Sequence, residues 1–508
     1  MDFTSALQSI ITVYRTRTDE LLPVYFLSPA VSQVSRAVLA VGFAVAYAYL
    51  EVTGRLTRLR ADLRTEGAEP PGPGADVDAV QRWFETVGPA FEQLFSPEVL
   101  AILGATLLAT VVVFALLSSV ATAAQLSCCR ATLHDEWGTE AAVAGARRHW
   151  TAVLGLSILE FLFVVVLAAA AAAPLVAVAD SAALLVLVGL VVGFLWLVAF
   201  VAISVVFTFA VVAVVVDGTG VRGGLAGAAG FIRTNPLWVV GYVAAVVGIL
   251  GLVSAASATA GAASGVASAL LGFAVTAPAL DLLKTALYGH YAGGIDPPER
   301  PEASALQQAV DGVRRGVDEM VAFVRRNPGL NVLAAVILLC GAYGGWVLAG
   351  AYEGLVTASI DARLENHVPP SAAVAFATNN TTVAISSAMS GLAAGLPSVV
   401  ALLFNGALLG ALGRFEVAPL QLAAFIVPHG VIELPALVIA GALGLSLGGS
   451  GLRALGGRVT NAEFAETLER AFWVLVGVAV LLAVAGLIEG FVSPYYYRPF
   501  LALWYGPS

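Results

Sequence analysis

An all-α, polytopic integral membrane protein with about eleven transmembrane helices is the fold class that three features of this 508-residue chain predict. Hydrophobic residues make up 59% of it and charged residues only 12%, at a mean hydropathy of +0.90, which leaves too little polar surface to coat a soluble globule. Apolar runs of about 20 residues, enough to cross a bilayer at a rise of about 1.5 Å per residue, recur along the chain. Arginines gather in alternate loops between those runs, as the positive-inside bias favours, with one exception in the long acid- and proline-rich loop Arg55–Arg82, a length at which the bias acts poorly.

The first six spans are expected at Val31–Val52, Val99–Leu126, Thr151–Val178, Ala182–Val216, Leu237–Ala256 and Ala263–Leu287. No basic cluster precedes a short apolar core near Met1, so the first run reads as a retained helix rather than a cleaved signal. A polar, proline-bearing stretch follows from Tyr291 to Asn327. Five more spans are expected at Val332–Val356, Thr381–Leu392, Pro397–Leu412, Leu420–Leu447 and Leu468–Val492, of which Thr381–Leu392 is short enough to enter the bilayer only halfway. The domain organisation expected is therefore a membrane domain over 1–295, a cytoplasmic linker with an interfacial helix over 296–330, and a second membrane domain over 331–508.

Orientation follows from arginine. Arg130, Arg147 and Arg148, then Arg222 and Arg233, then Arg314, Arg315, Arg325 and Arg326 occupy alternate loops, which are expected to be cytoplasmic; the same count places the C-terminus outside. An echo accompanies these loops: AVAGARRHW, GAAGFIRTNPLW and EMVAFVRRNPGL each place a short small-residue or amphipathic helix, arginine, and Trp or Asn-Pro at the start of a span. Arginine reaches the headgroups there, and proline starts the next helix where no donor is lost. Pairs of glycines four apart, Gly189 with Gly193, Gly391 with Gly395 and Gly406 with Gly410, predict close helix contacts in lipid.

Charge excludes one class of partner. The net charge of −9 leaves no basic stripe to displace counterions from nucleic acid. Lys284 is the lone lysine, and acidic loops served by arginine suit a salt-rich solvent such as that of a halophilic archaeon. Cys128, Cys129 and Cys340 lie in or beside apolar runs and read as packing residues.

The chemistry-bearing residues lie in the second block. Polar groups in hydrocarbon cost several kcal/mol unless they find partners, so Asn405, His429 and Glu433 inside the apolar run from Ala401 to Gly448 need an explanation. His429 and Glu433 are four apart and share a face if the helix continues between them. Pro428 and Pro435 predict a kinked or broken helix near Pro428. Asn380, Asn405, Gly406, His429, Gly430, Glu433 and Glu489 make up the expected buried polar cluster; no catalytic residue, cofactor or metal is assigned to it. In the first block, Asp281 and Lys284 are three apart and are expected to pair on one helix.

The order FATNN (Phe376–Asn380), LFNGALLG (Leu403–Gly410), PHGVIELPALVIAGALG (Pro428–Gly444) and AGLIEGFVSP (Ala485–Pro494) resembles the stage II sporulation protein M family over roughly the last third of the chain. The resemblance implies a membrane domain of about five spans with no agreed enzymatic activity. Sporulating bacteria use such a domain in a membrane complex that remodels peptidoglycan, and many relatives occur in organisms that never sporulate. The first block falls outside that resemblance.

Three functions follow as expectations. The leading one is a non-enzymatic scaffold or assembly factor in a cell-envelope or membrane-remodelling complex, multi-pass in the cell membrane, with lipids and other membrane or envelope proteins as partners. The second is a proton- or ion-coupled transporter or channel using His429 and Glu433. The third is an intramembrane metal-dependent hydrolase on the same two residues.

Overall fold

The computed structural model describes residues 3–63, 76–92, 94–260, 263–365 and 367–497. Among them all regular structure is helical, apart from two isolated bridges, Glu353 to Val356 and Ala358 to Glu416. Ten helices are long and apolar enough to cross a membrane, so the all-α polytopic class stands. The chain divides into two compact units, each assembled from separate stretches of sequence.

The first unit comprises residues 1–28, 115–320 and 453–477. It contains α1 (Phe3–Thr16) and α2 (Thr18–Tyr25). The chain then runs through α3 (Leu27–Val52), α4 (Arg55–Asp62) and α5 (Val77–Glu92), which belong largely to the second unit, and through α6 (Pro97–Thr132), whose last part returns to the first. There follow α7 (Gly138–Ala177), α8 (Ala182–Val216), α9 (Val221–Thr234), α10 (Pro236–Ala260), α11 (Ala263–Leu271), a π turn at Gly272–Thr276, α12 (Ala277–Ala292) and α13 (Ala305–Arg326).

Buried Leu21, Tyr25, Leu126, Phe209, Phe231 and Leu282 anchor this unit's core. Within it, Asp281 accepts hydrogen bonds from Lys284 Nζ at 2.8 Å and from Tyr25 OH at 2.8 Å. The expected pairing on α12 therefore forms, and Tyr25 adds a second donor that lets a carboxylate sit among apolar side chains. The π turn widens the helical ring, and Tyr14 OH donates to the carbonyl of Ala274 inside it. Burial lifts the Tyr14 hydroxyl pKa to about 12.

Two of the three echoed segments share one backbone geometry. α9 is followed by Asn235 (φ −130°, ψ 53°) before Pro236, and α13 by Asn327 (φ −126°, ψ 49°) before Pro328. Proline forces its predecessor out of the helical region. In each case the asparagine N–H still bonds back four residues, Asn235 to Phe231 O at 2.9 Å and Asn327 to Phe323 O at 3.0 Å. The third segment, AVAGARRHW, departs from expectation: it is the first part of the 40-residue helix α7 and not a separate piece. No Asn-Pro step separates it from its span.

The second unit comprises residues 29–114, 321–452 and 478–508, described as far as Tyr497. Its second half holds α14 (Pro328–Gly350), α15 (Ile360–Arg363), α16 (Pro369–Ser390), α17 (Leu396–Phe415), nearly all of α18 (Pro419–Leu455) and the last part of α19 (Asn461–Phe491), whose residues up to Gly477 belong to the first unit. α14 and α17 make the closest pair. A Cβ on Gly341 would strike the Leu403 backbone, and one on Gly345 the Ala407 backbone; one on Gly406 would strike Leu338 O, and one on Gly410 Ala342 O. The contacts climb both helices together, so α14 and α17 are parallel.

Two neighbours in lipid can be parallel only if the chain returns between them, and α16 provides the return. Its 22 residues span about 33 Å at about 1.5 Å each, enough to cross. It is thus a full-length helix rather than the half-span expected, and it starts at Pro369. Thr378 to Thr382 dilute its apolarity and hide its true extent. α18 runs antiparallel to α17: Gly441 faces Leu402, Gly444 faces Ser398, Gly448 faces Gly395 and Gly451 faces Leu392. α19 runs antiparallel to α16, with Gly486 against Ala377 and Gly490 against Ala373.

One expectation is narrowed here and one corrected. Of the kinked and broken alternatives for the helix near Pro428, the break is set aside, because α18 continues through Pro428 and Pro435 as one 37-residue helix. A proline removes one donor, and packed neighbours can hold a helix together around that loss. Gly189 and Gly193, by contrast, mark no tight contact. A Cβ on Gly193 would meet nothing within 4 Å, and both glycines line an apolar groove of about 260 Å³ between α7 and α8.

Candidate functional site

α18 and the end of α19 meet along two rows of side chains spaced four apart. Phe425, His429 and Glu433 form one row; Glu489, Ser493 and Tyr497 form the other, the last two on a helical turn over 493–497. The rows pair in antiparallel order. Phe425 and Tyr497 pack edge to face with ring centroids 6.3 Å apart. His429 Nδ1 and Ser493 Oγ share a hydrogen bond of 2.9 Å. His429 Nε2 stands 4.0 Å from Glu489 Oε1, beyond hydrogen-bond reach. Ligand atoms of His429, Glu433 and Glu489 all lie within 4.8 Å of one another.

The histidine end of the site is enclosed, whereas Glu433 and Glu489 are partly buried. His429 is 5% exposed and Ser493 is fully buried. Phe425 packs against the imidazole in a T-shaped pair with ring centroids 5.4 Å apart, and Tyr497, which packs on Phe425 in turn, donates its hydroxyl hydrogen to Asp361 Oδ1 at 2.6 Å. Ile360, Leu422, Phe425 and Tyr497 make a small apolar plug. The segment supplying Ile360 and Asp361 is tied down in turn: Ile360 N donates to Glu416 Oε1 at 3.1 Å, and Ala358 N to Phe415 O at 2.8 Å. His367 Nε2 bonds the Gly490 carbonyl at 2.9 Å, next to Glu489.

Of the residues expected to cluster, the structure brings together His429, Glu433 and Glu489. Asn405 instead turns its amide to Ala401 O in its own helix at 2.8 Å, which satisfies the donor locally. Asn380 accepts from Asn379 Nδ2 at 3.2 Å. Among the described residues neither asparagine hydrogen-bonds to the three titratable groups. Gly406 serves the α14 contact, and Gly430 lies next to His429, where a Cβ would meet Ile426 of the same helix. Phe425 carries no signal in the sequence beyond its spacing; Ser493 and Tyr497 belong to the aromatic tail from Ser493 to Tyr505, which reads as an interface belt, whereas both are fully buried, and all three lie four or eight residues from a member of the trio.

Residues 334–494 match the family model described as Stage II sporulation protein M, whereas the N-terminal part matches none. No curated protein and no solved structure matches the chain. The match begins within α14 and ends beside Ser493, so it takes in all three members of the titratable trio and the parallel glycine pair. The C-terminal region of this multi-pass membrane protein is therefore similar to the stage II sporulation protein M family over residues 334–494.

Proposed function

We propose that the protein is a non-enzymatic assembly factor of the cell membrane, holding other membrane or envelope proteins in a remodelling complex. One observation carries this reading: the glycines and the histidine within the matching segments are spent on helix packing. Gly406 and Gly410 press on the α14 backbone, Gly486 and Gly490 press on α16, and His429 locks α18 to Ser493. Such a rigid bundle presents fixed faces to partners, where an alternating-access carrier needs helices with two arrangements.

Chemical cross-linking in native membranes followed by purification tests the reading. Wild-type chain should bring down a defined set of membrane proteins, and Gly406→Leu, which forces α14 from α17, should lose them. Proteoliposomes supply the opposing result: dissipation of an imposed pH or ion gradient that Glu433→Gln abolishes would replace assembly by transport.

A further inference from the structure

We infer that His429, Glu433 and Glu489 form a binding site for a divalent transition-metal ion, zinc being the first choice, with Ser493 as the positioning residue for the imidazole. The inference goes beyond the assembly reading and stands apart from it.

The donor set is the first argument. One imidazole and two carboxylates, drawn from two helices, give three protein ligands of the kinds zinc accepts, and three ligands leave a position for water. Geometry is the second. Tetrahedral ligands about 2.0 Å from zinc stand about 3.3 Å apart, so the observed spread of up to 4.8 Å closes on an ion with side-chain shifts of about 1 Å.

The third argument is the state of the histidine. It is 5% exposed, and its Nε2 points toward Glu489 Oε1 across 4.0 Å without a hydrogen bond. A buried ring nitrogen left so close to a carboxylate oxygen, and not bonded to it, marks a gap that an ion bonded to both would bridge. Nδ1 is already engaged: with its hydrogen donated to Ser493 Oγ, the lone pair falls on Nε2, the atom that stands 4.0 Å from Glu489 Oε1. Among the described residues no Lys or Arg pairs with Glu433 or Glu489, so the ion would also supply the positive charge that two carboxylates in an apolar bundle lack.

The full-length chain, purified in detergent, stripped with chelator and titrated with Zn²⁺ or Co²⁺, provides the test. About one ion per chain should bind, and Co²⁺ should give the visible absorption of a low-symmetry four-coordinate site. His429→Gln and Glu489→Gln should remove both signals. Ser493→Ala leaves every ligand in place and should weaken Co²⁺ affinity about 10- to 100-fold, the effect of losing a hydrogen bond behind a ligand. Should the ligand variants fail to fold, that Ser493→Ala shift on a monodisperse chain still decides the matter. Absence of a stoichiometric ion from folded wild-type protein overturns the site, as does Co²⁺ absorption that survives His429→Gln or affinity unmoved by Ser493→Ala. Partner recovery in the cross-linking experiment is read separately and does not depend on the metal result.

Discussion

Replacing Gly406 by alanine is the sharpest test of how the C-terminal bundle is held. Taken alone, Gly→Ala inside a helix stabilises it by about 1 kcal/mol. At this position the added methyl would run into Leu338 O, Ala342 N and the Gly341 carbonyl carbon, all backbone atoms of α14 that no rotamer change can move aside. α14 and α17 would have to separate by about 1 Å, a gap that forfeits a quarter to a half of each contact's dispersion energy. Overpacking of this kind costs about 1–3 kcal/mol, to which the loosened contacts at Gly341, Gly345 and Gly410 add. The net expectation is a loss of about 2 kcal/mol after the helix gain is subtracted. Gly344 provides the control, since it lies on α14 and a Cβ there would meet nothing within 4 Å. Gly344→Ala should be neutral or gain up to about 1 kcal/mol. Reversible unfolding in mixed micelles measures both, and equal stability of the two variants would refute the packing argument.

Two further outcomes follow from the first unit. Lys284→Met leaves the Asp281 carboxylate with Tyr25 as its remaining hydrogen-bond partner and should cost about 3–5 kcal/mol, whereas adding Asp281→Leu should recover most of the loss, both read by thermal unfolding in detergent. The Tyr14 hydroxyl, raised by burial from 10.0 to about 12, binds its proton more tightly folded than unfolded. Its contribution is therefore complete below pH 10 and disappears as pH rises toward 12, so Tyr14→Phe should flatten the alkaline limb of the stability profile over that window.

Apolarity made most of the fold readable from sequence. Ala182–Val216 is expected and found with the same bounds because nothing in it interrupts the run. α16 was harder, since Thr378, Asn379, Asn380, Thr381 and Thr382 lie within it and hydropathy alone cannot distinguish a polar helix interior from a loop. Pro428 and Pro435 leave a kink and a break both open in the sequence, because tertiary packing decides whether a break opens, and here the helix runs on. At the candidate site, the four-residue step from His429 to Glu433 was visible, and so was the acidic group near the end of the last helix. What sequence could not supply was the register between α18 and α19. That register selects Glu489 and Ser493 as companions of His429 and leaves Asn405 bonded within its own helix.

The parallel arrangement of α14 and α17 bears on how the protein is made. A ribosome delivers α14 to the bilayer while its main partner has yet to be translated, and α16 must cross in the opposite sense before α17 can arrive. Until then the flat glycine face of α14 is solvated by acyl chains, which cannot fit its shape as Leu403 and Ala407 later do. Insertion and pairing are therefore separate events for this helix, and lipids must leave its surface before the bundle can close.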